Sequence, residues 1–339
     1  MHDGSRDLAS RTTLRLGGPA GRLTIATVTD EIPQMVRGPQ PFLVLAGGSN
    51  VIVGDDGYPG TVVLLRTRGC VATPDGDGVS LRVAAGEPWD GVVARTVAEG
   101  WSGIECLSGI PGSAGATPIQ NVGAYGQDIA ETITAVRVYD RHRDVVEALP
   151  PSACGFGYRT SVFKHSDRWI VLEVLLRLAI SAMSTPIRYP ELARALGVAV
   201  GDRAPLDDVR AAVLKLRAGK GMVLDPDDPD TYSVGSFFTN PVLLATGFAR
   251  LAEAGAPAWP NPDGTVKTSA AWLIERAGFR KGYGRDGVAI STKHTLALTN
   301  RGTGTTAALL DLAREIRAGG ADRFGVTLEP EPVLVNCAL

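Results

Sequence analysis

The sequence lacks the residue patterns that mark several common classes of protein. Its four cysteines, Cys70, Cys106, Cys154 and Cys337, are far apart and include no CxxC pair. This spacing excludes a zinc finger and a dense disulfide scaffold, and it predicts free, buried thiols. No two of the four histidines are at helical spacing, so we predict no metal site.

Long apolar runs and an excess of basic residues are absent as well. No apolar run approaches the roughly 20 residues that span a bilayer, and residues 1–7 contain no apolar stretch of the signal-peptide type. Lys and Arg number 34 against 36 Asp and Glu, whereas binders of nucleic acids or membrane surfaces usually carry a basic excess. We therefore expect a cytoplasmic protein that binds neither nucleic acids nor membranes. We also expect a monomer, a point that the sequence does not decide.

Glycine and proline, by contrast, are abundant. The 339 residues include 41 glycines and 22 prolines, and 44% of the residues are hydrophobic. A chain of this length and apolar content folds into two or three domains rather than remaining disordered. Its glycines and prolines cluster between apolar runs, as they do in turns and ligand-binding loops, where glycine lets the backbone approach a ligand closely.

Hydrophobic periodicity predicts a mixture of helices and strands, with a domain boundary near 219–231. The predicted helices begin at Trp89 and end before Gly100, span Ala270–Ala277 after an N-cap at Thr268 or Ser269, and span Leu309–Ile316 with an end at Gly319-Gly320. The predicted strands lie on both sides of a turn within 41–53, and at Thr61–Leu65, Ala135–Tyr139, Trp169–Ile180, Val288–Ile290 and Thr295–Leu298. Trp169–Ile180 is long and apolar enough to be a central strand. The pattern indicates an α+β fold.

Two glycine-rich loops are the first candidates for a binding site. Successive backbone amides in the turn Gly47-Gly48-Ser49-Asn50 can form a nest for an anion, and the alternative is an ordinary hairpin turn. The loop at 110–126 has no periodicity of its own, and a loop of that length is uncommon unless it is functional. It lacks the GxGxxG spacing of a Rossmann dinucleotide site. It suits a large neutral or diphosphate ligand held by backbone amides.

These loops resemble the corresponding motifs of the UDP-N-acetylenolpyruvoylglucosamine reductase family, whose members are also called UDP-N-acetylmuramate dehydrogenases. The matching residues are Gly-Gly-Ser-Asn at 47–50 and Ile-Pro-Gly…Pro-Ile-Gln-Asn-Val-Gly-Ala-Tyr-Gly within 110–126. Three further motifs follow in the family order: Phe-Gly-Tyr-Arg-Thr-Ser-Val-Phe-Lys at 156–164, Gly-Ser-Phe-Phe-Thr-Asn-Pro at 235–241 and Leu-Glu-Pro-Glu at 328–331. The resemblance covers nearly the whole chain.

The resemblance implies a specific α+β architecture. It is an FAD-binding domain of the vanillyl-alcohol-oxidase/PCMH type, with an N-terminal α+β lobe and a C-terminal α+β substrate lobe. The implied domains are an FAD-binding lobe at 1–68, a second FAD-binding lobe at 69–222 and a substrate-binding domain at 223–331. Residues 332–339 are a candidate addition to the first lobe.

The resemblance also implies FAD as cofactor, NADPH as co-substrate and a set of binding residues. The implied cofactor-binding residues are Gly47, Gly48, Ser49, Asn50, Val51, Ile110, Pro111, Gly112, Ser113, Gly115, Ala116, Thr117, Ile119, Gln120, Gly123, Ala124, Tyr125 and Arg217. The implied substrate-binding residues are Tyr158, Tyr189, Lys220, Asn240 and His294. Among these, Lys220 corresponds to a lysine that meets the substrate diphosphate, and Tyr189 to a tyrosine that clamps the substrate.

The implied reaction reduces the enolpyruvyl group of UDP-N-acetylglucosamine-enolpyruvate to UDP-N-acetylmuramate, a step of peptidoglycan precursor synthesis. FAD supplies a hydride from N5 to C3, and Ser236 gives a proton to C2. Arg159 clamps the substrate carboxylate, for which the forked guanidinium is suited. Glu331 stabilises an enol form if its carboxyl group holds or shares a proton. Unlike the family pattern, Glu331 is followed here by Pro332, which restricts the residue before it to extended conformations.

Each catalytic assignment has a structural alternative when it is taken singly. Ser236 could be a turn hydroxyl, Arg159 a surface ion-pair partner and Glu331 an exposed acid beside the equally acidic Glu329. Three other functions remain open: an oxygen-using flavin oxidase, a serine hydrolase and a nucleotide-sugar binder without activity. The hydrolase would use Ser236 with His165 or His294, but no GxSxG motif surrounds Ser236. The order and context of the motifs favour the reductase.

Overall fold

The computed structural model describes residues 6–339, and the chain in this range forms twenty strands and seven α-helices. The strands are β1 (Ala20–Ala26), β2 (Phe42–Leu45), β3 (Val51–Val53), β4 (Tyr58–Leu65), β5 (Cys70–Asp75), β6 (Gly78–Ala84), β7 (Trp101–Ser102), β8 (Gly123–Ala124), β9 (Gln127–Asp128), β10 (Ile133–Asp140), β11 (Val145–Leu149), β12 (Trp169–Ile180), β13 (Ser233–Ser236), β14 (Val242–Leu244), β15 (Ala258–Pro260), β16 (Thr265–Thr268), β17 (Gly284–Arg285), β18 (Val288–Ile290), β19 (Ala297–Asn300) and β20 (Val333–Val335). The helices are α1 (Ile32–Val36), α2 (Trp89–Ala98), α3 (Pro190–Leu196), α4 (Leu206–Gly219), α5 (Ala245–Glu253), α6 (Ala270–Arg276) and α7 (Thr306–Phe324). The α+β class is confirmed.

The chain forms two compact units, each assembled from separate segments. The first, here called the terminal unit, contains the chain up to Pro19, Ser49–Tyr58 and Leu224–Leu339. The second, here called the central unit, contains Ala20–Gly48 and Pro59–Val223. The predicted lobe at 1–68 is therefore shared between both units, and the three-domain division stays a prediction. Residues 1–5, on which that lobe and the expectation about the N-terminus partly rest, lie outside the described residues.

Besides the antiparallel pair β8–β9, the central unit contains two larger sheets. Strands β1, β4 and β2 form one of them, in which β2 and β4 run parallel. The other has the order β11-β10-β12-β6-β5, and β7 pairs with the end of β12. As predicted, Trp169–Ile180 is a central strand, because β12 is paired along its length by antiparallel β10 and β6.

Helix α2 packs one apolar face into the core of the central unit. Its buried positions are Trp89, Val92, Val93, Thr96 and Val97. These residues recur at the i, i+3, i+4, i+7 spacing that the sequence showed, so the predicted helix and its buried face are confirmed. Burying side chains such as Val93 and Trp89 stabilises the fold by about 1.5–3 kcal/mol each. The helix therefore anchors the turn that precedes it, next to the loop at 110–126.

The terminal unit combines two sheets with helices α5, α6 and α7 around its own core. One sheet has the order β13-β19-β18-β17 and the other the order β14-β16-β15. The C-terminal strand β20 pairs in parallel with β3, with Val333 opposite Val51. Helix α7 packs against β17, β18 and β19 of the four-stranded sheet, and α6 packs against α7. The apolar faces of the two helices include the fully buried Leu273 and Ile316.

One predicted helix end in the terminal unit is wrong. Helix α7 does not stop at Gly319-Gly320 but continues to Phe324, where Gly325 provides a left-handed C-cap. The reason is packing: a Cβ atom on Gly319 would lie 2.5 Å from a ring carbon of Phe279. The glycine lets the Phe279 ring pack directly against the helix backbone, so it is a contact residue here and not a helix terminator.

Candidate active site

The two glycine-rich loops of the central unit cross in direct backbone contact. A Cβ atom added to Gly47 would lie 2.6 Å from the Cα atom of Gly112, so only glycine permits this approach. The strands on either side of the 47–50 turn pair elsewhere, β2 with β4 and β3 with β20. The hairpin-turn alternative for Gly47-Gly48-Ser49-Asn50 is therefore wrong.

Backbone hydrogen bonds fix the first half of the 110–126 loop to the turn between β6 and α2. Gly112 accepts a hydrogen bond from the Trp89 amide, with N···O 3.1 Å. Gly115 donates to the carbonyl oxygen of Ala85, with N···O 2.9 Å. Because the loop is tied to a buried helix and to a strand end, its shape is set before any ligand binds.

Two buried polar atoms in this region have no hydrogen-bond partner. They are the hydroxyl oxygen of Ser113, which lies in the loop, and Nε of Arg217, which lies on α4. Burial also lowers the pKa of the Arg217 guanidinium, against the opposing influence of Tyr125 and Asp90. Unsatisfied buried donors and acceptors are costly and usually mark a ligand site. Arg217 Nη2 donates to the Met222 carbonyl oxygen at 3.0 Å, which leaves Nε as its unpaired donor. A cradle of backbone amides with an unpaired hydroxyl and an unpaired guanidinium N–H fits the diphosphate-bearing FAD that the resemblance implies.

Asp90 holds the start of the glycine loop against α4, and sequence reasoning missed it. Its carboxylate accepts two hydrogen bonds from Arg210, at 2.7 and 2.8 Å, and one from the Gly109 amide at 2.6 Å. The hydrogen bonds from Arg210 lower the pKa of Asp90, although partial burial opposes them. Arg217 lies two helical turns after Arg210 on α4. Asp90 thus aligns the loop entrance with the helix that carries Arg217.

The Arg159 side chain contacts the second half of the 110–126 loop. Its guanidinium donates to the carbonyl oxygens of Asn121 (3.3 Å) and Gly123 (2.7 Å), and Nη1 lies 3.8 Å from the carboxylate of Asp128. Arg159 itself has φ 53°, a left-handed backbone conformation that non-glycine residues rarely adopt. The guanidinium also lies 5.4 Å from the ring centroid of the exposed Tyr158. The surface-ion-pair alternative describes this side chain incompletely, because its hydrogen bonds to two loop carbonyl oxygens also hold the loop in place.

Tyr189 and Lys220, two predicted substrate residues, meet beside the end of the loop. The Tyr189 and Tyr125 rings are 5.6 Å apart and perpendicular. The Lys220 ammonium lies 5.6 Å from the Tyr125 ring centroid and 2.6 Å from the Glu191 carboxylate. Burial raises the pKa of Tyr125 to about 12. Glu191 was also missed, because it is 29 residues away from Lys220 along the chain and no local pattern links them.

Ser236 and Glu331 lie on neighbouring segments of the terminal unit. Ser236 ends β13, where it faces Ala297 of β19. The next residue, Phe237, accepts a hydrogen bond from the Glu331 amide with N···O 2.8 Å. Phe238 and Pro330 form a further bridge between the same two segments. The structure thus brings two of the three predicted catalytic residues together, and it places the third, Arg159, in the central unit.

His294 and Asn240 are placed in the same unit. The His294 amide donates to the Ser291 hydroxyl at 3.2 Å, in the turn between β18 and β19. That turn precedes Leu296, whose carbonyl oxygen accepts from the Phe237 amide at 2.7 Å. The side-chain oxygen of Asn240 instead accepts from the Ala270 amide at 3.0 Å, at the start of α6. Asn240 therefore has a structural role in addition to its predicted contact with substrate.

The other predicted cofactor residues follow the two loops. In the central unit they are the buried Gly48, Ser113, Gly115 and Thr117, and the partly buried Ile110, Pro111, Gly112, Ala116, Ile119, Gln120, Gly123 and Ala124. In the terminal unit they are the partly buried Ser49, Asn50 and Val51. The carbonyl oxygen of Asn50 accepts from the Val333 amide at 2.9 Å, at the start of the β3–β20 pair. Their contacts with a cofactor stay a prediction.

Two sequence predictions, one about the cysteine thiols and one about membrane-spanning segments, can be compared with the structure of residues 6–339. All four cysteines are free, but only Cys106 and Cys154 are buried, so the prediction of uniformly buried thiols is wrong for Cys70 and Cys337. Burial raises the pKa of Cys154 to about 11 and that of Cys106 further, which keeps both thiols protonated. Among these residues, no helix has the length and apolar character that crossing a membrane requires.

Comparison with protein families gives two matches that together cover most of the chain. A model of an FAD binding domain matches residues 24–148. A model described as the C-terminal domain of UDP-N-acetylenolpyruvoylglucosamine reductase matches residues 227–335. The first match contains both glycine-rich loops, and the second contains Ser236 and Glu331.

Individual relatives agree over the full length of the chain. A UDP-N-acetylenolpyruvoylglucosamine reductase of Salinispora arenicola is 63% identical over 350 residues, covering 99% of this chain and 96% of the relative. One of Thermobifida fusca is 58% identical, covering 98% and 97%. Among solved structures, a UDP-N-acetylenolpyruvylglucosamine reductase of Thermus caldophilus superposes with a TM-score of 0.67 at 26% identity, covering 97% of both chains.

Proposed function

The chain belongs to the family of UDP-N-acetylenolpyruvoylglucosamine reductases, and we propose that it uses NADPH to reduce UDP-N-acetylenolpyruvoylglucosamine to UDP-N-acetylmuramate. It is an FAD-dependent oxidoreductase of peptidoglycan synthesis, so the predicted family, the FAD-binding fold and the cofactor are confirmed. The electron donor, the proton route and the role of each side chain belong to the proposal.

We assign the cofactor to the loops of the central unit. The backbone of Gly47 and Gly112 would hold the diphosphate, and the unpaired Ser113 hydroxyl and Arg217 Nε would donate to it. When bound, FAD supplies the hydride that the enolpyruvyl double bond accepts at C3. The protein has to hold the reacting carbons in place, exclude water and deliver the matching proton.

We assign the proton donor to Ser236. Addition of a hydride to C3 leaves negative charge at C2 and on the adjoining carboxylate, and a proton then completes the reduction at C2. The Ser236 hydroxyl is half-buried at the end of β13, where the hydrogen bond from Phe237 to Leu296 fixes the strand. A serine hydroxyl is a weak acid, so it serves only where a neighbouring group restores its proton and stabilises the charge.

Glu331 and Arg159 are assigned to charge stabilisation. Glu331 is half-buried, and its backbone is bonded to the residue that follows Ser236. A protonated or proton-sharing carboxyl group there lowers the energy of an enol form of the substrate carboxylate. Arg159 would bind the carboxylate with guanidinium donors, while its bonds to Asn121 and Gly123 keep it oriented.

The observation that most directly supports the proposal is the pairing of the Ser236 and Glu331 segments. The two glutamates near the C-terminus differ in this respect. Glu331 hydrogen-bonds to Phe237 beside Ser236, whereas Glu329 is exposed and lies 3.5 Å from Arg317. The position of Ser236 in a sheet with no nucleophile elbow also argues against a serine hydrolase.

A half-reaction experiment tests the proposal. The purified protein should show the visible absorbance of a flavin, which NADPH bleaches under nitrogen. Adding UDP-N-acetylenolpyruvoylglucosamine should restore the absorbance with formation of one UDP-N-acetylmuramate per reduced flavin. Recovery only on admission of oxygen would support the oxidase alternative, and a colourless protein that hydrolyses esters would support the hydrolase. Binding of the sugar nucleotide without any recovery of absorbance would support a non-catalytic binder.

A further inference from the structure

In a cluster of four side chains in the central unit, the carboxylate of Glu191 pairs with Lys220, the lysine that is assigned to the substrate diphosphate. Lys220 directly follows α4 as its C-cap, and Glu191 lies in the first turn of α3. The Lys220 ammonium donates to a Glu191 carboxylate oxygen at 2.6 Å. On another side, Lys220 approaches the ring of Tyr125, which in turn packs against Tyr189. The ammonium is thus held between a carboxylate and an aromatic face.

We propose that Glu191 is an internal counter-anion for Lys220, which the diphosphate of the substrate must displace in order to bind. This inference rests on the proposed function, since it takes Lys220 as the residue that binds the diphosphate. In the absence of ligand, the Glu191 carboxylate pairs with the Lys220 ammonium and holds it beside Tyr125. Glu191 therefore sets how tightly, and how selectively, the site accepts anions.

The geometry favours displacement. The side chains of Lys220 and Glu191 are 30% and 36% exposed, and ion pairs with such access to water are weak. A diphosphate carries more negative charge than one carboxylate, so it outcompetes Glu191 at the ammonium, whereas a singly charged anion does not. The Tyr125 ring, whose centroid lies 5.6 Å from the ammonium, is a second contact of Lys220, and we expect it to keep the lysine in position when Glu191 is displaced.

The segment that carries Tyr189 has its own attachment, separate from the Lys220–Glu191 pair. Arg188 donates to the Gly126 carbonyl oxygen at 3.1 Å and to the Glu131 carboxylate at 2.6 Å. Opening of the Glu191 contact therefore leaves the Tyr189 segment fixed to the end of the glycine loop. Glu191 can therefore act as the partner of Lys220 without also anchoring the Tyr189 segment.

Calorimetric titration of UDP into the FAD-loaded protein tests the proposal. Glu191→Gln should bind UDP about threefold to fivefold more tightly than the unaltered protein, the range expected for loss of a competing exposed ion pair. Glu191→Ala, in which no amide oxygen can take over the contact, should also bind more tightly. A residue with a merely structural role would weaken binding on replacement, so the direction of the change is diagnostic.

Two comparisons complete the test. Glu147→Gln removes an acid of the same length whose ion pair, with Arg143 at 3.1 Å, involves no residue assigned to the site, and it should leave UDP affinity unchanged. If Glu147→Gln tightens binding as much as Glu191→Gln, a general change of charge explains the effect and the counter-anion is disproved. In a Lys220→Met background, Glu191→Gln should have no effect.

The Lys220→Met variant also separates failure of this inference from failure of the function assigned to Lys220. Unaltered UDP affinity in Lys220→Met would show that the lysine does not bind the diphosphate. Weaker binding in Lys220→Met, together with unchanged or weaker binding in Glu191→Gln, would leave the lysine assignment standing and overturn the counter-anion alone.

Discussion

The amide of Glu331 donates a hydrogen bond to the carbonyl oxygen of Phe237, with N···O 2.8 Å. The bridge between Phe238 and Pro330 extends this contact by one residue on each segment. Because the register is fixed by backbone groups, Ser236 and Glu331 are held at neighbouring positions whatever their side chains do. Pro332, the departure from the family pattern, follows the contact and leads into β20 without disrupting it.

Replacing Ser236 by alanine should separate the two half-reactions. We expect reoxidation by the enolpyruvyl substrate to slow by about 10²–10⁴, the usual contribution of a positioned proton donor. Reduction by NADPH should keep its rate, because it needs no proton from this hydroxyl. Stopped-flow absorbance measures both steps, with the exposed Ser152→Ala as control. Normal reoxidation by Ser236→Ala would remove the proton-donor assignment.

The two glutamates of the C-terminal motif provide a matched pair. Glu331→Gln should slow substrate reduction by about 10²–10³, the cost of losing one group that stabilises developing charge. Glu329→Gln should leave the rate unchanged, because the Glu329 side chain is exposed and its carboxylate lies 3.5 Å from Arg317 on α7. Single-turnover kinetics at saturating substrate compare the variants. Equal losses in both variants would show that proximity to Ser236 does not select the catalytic acid.

Local patterns in the sequence predicted most elements but not the contacts between distant ones. The face of α2 and the central position of β12 follow from side chains within one segment, so periodicity sufficed. The pairing of Glu331 with Phe237 joins residues far apart in the chain, and only the family motifs linked them. Gly319 shows the opposite error. The glycine pair 319–320 suggested a helix end, whereas the glycine at 319 is there to let the Phe279 ring pack against the helix backbone. Predicted Thr295–Leu298 is shifted to Ala297–Asn300 for a similar reason, since pairing with β13 and β18 defines the strand.

Asp90 should make the stability of the protein depend on pH in the acid range. Hydrogen bonds from Arg210 lower the pKa of Asp90 in the folded state. This stabilisation is therefore fully present above the unfolded pKa of about 3.9, and it is lost as the pH falls through the lower folded value. Asp90→Asn should lose about 1 kcal/mol of unfolding free energy at neutral pH, a small figure because the carboxylate is partly exposed.

Urea denaturation at pH 7 and at about pH 3 measures this dependence. The difference between Asp90→Asn and the unaltered protein should shrink at the lower pH, where the unfolded carboxylate is already mostly protonated and the pH approaches the lower folded pKa. Asp56→Asn, which changes an exposed acid, should show no such difference at either pH. A gap between Asp90→Asn and the unaltered protein that is constant with pH would contradict the role of the carboxylate charge.

Arg217 should have opposite effects on the free and the FAD-bound protein. Its Nε is buried without a partner, and burial lowers the pKa of the guanidinium, so the free protein bears the cost of a desolvated charge. Arg217→Met, of similar volume, should therefore stabilise the free protein by about 1 kcal/mol. The same change should weaken FAD binding by about tenfold to a hundredfold, because a charge-assisted hydrogen bond is lost.

Thermal unfolding with and without saturating FAD measures both effects, with Lys215→Met, exposed on the same helix, as control. The FAD-induced rise in Tm should be smaller in Arg217→Met than in Lys215→Met. An equal rise would show that the Arg217 guanidinium is not a cofactor contact.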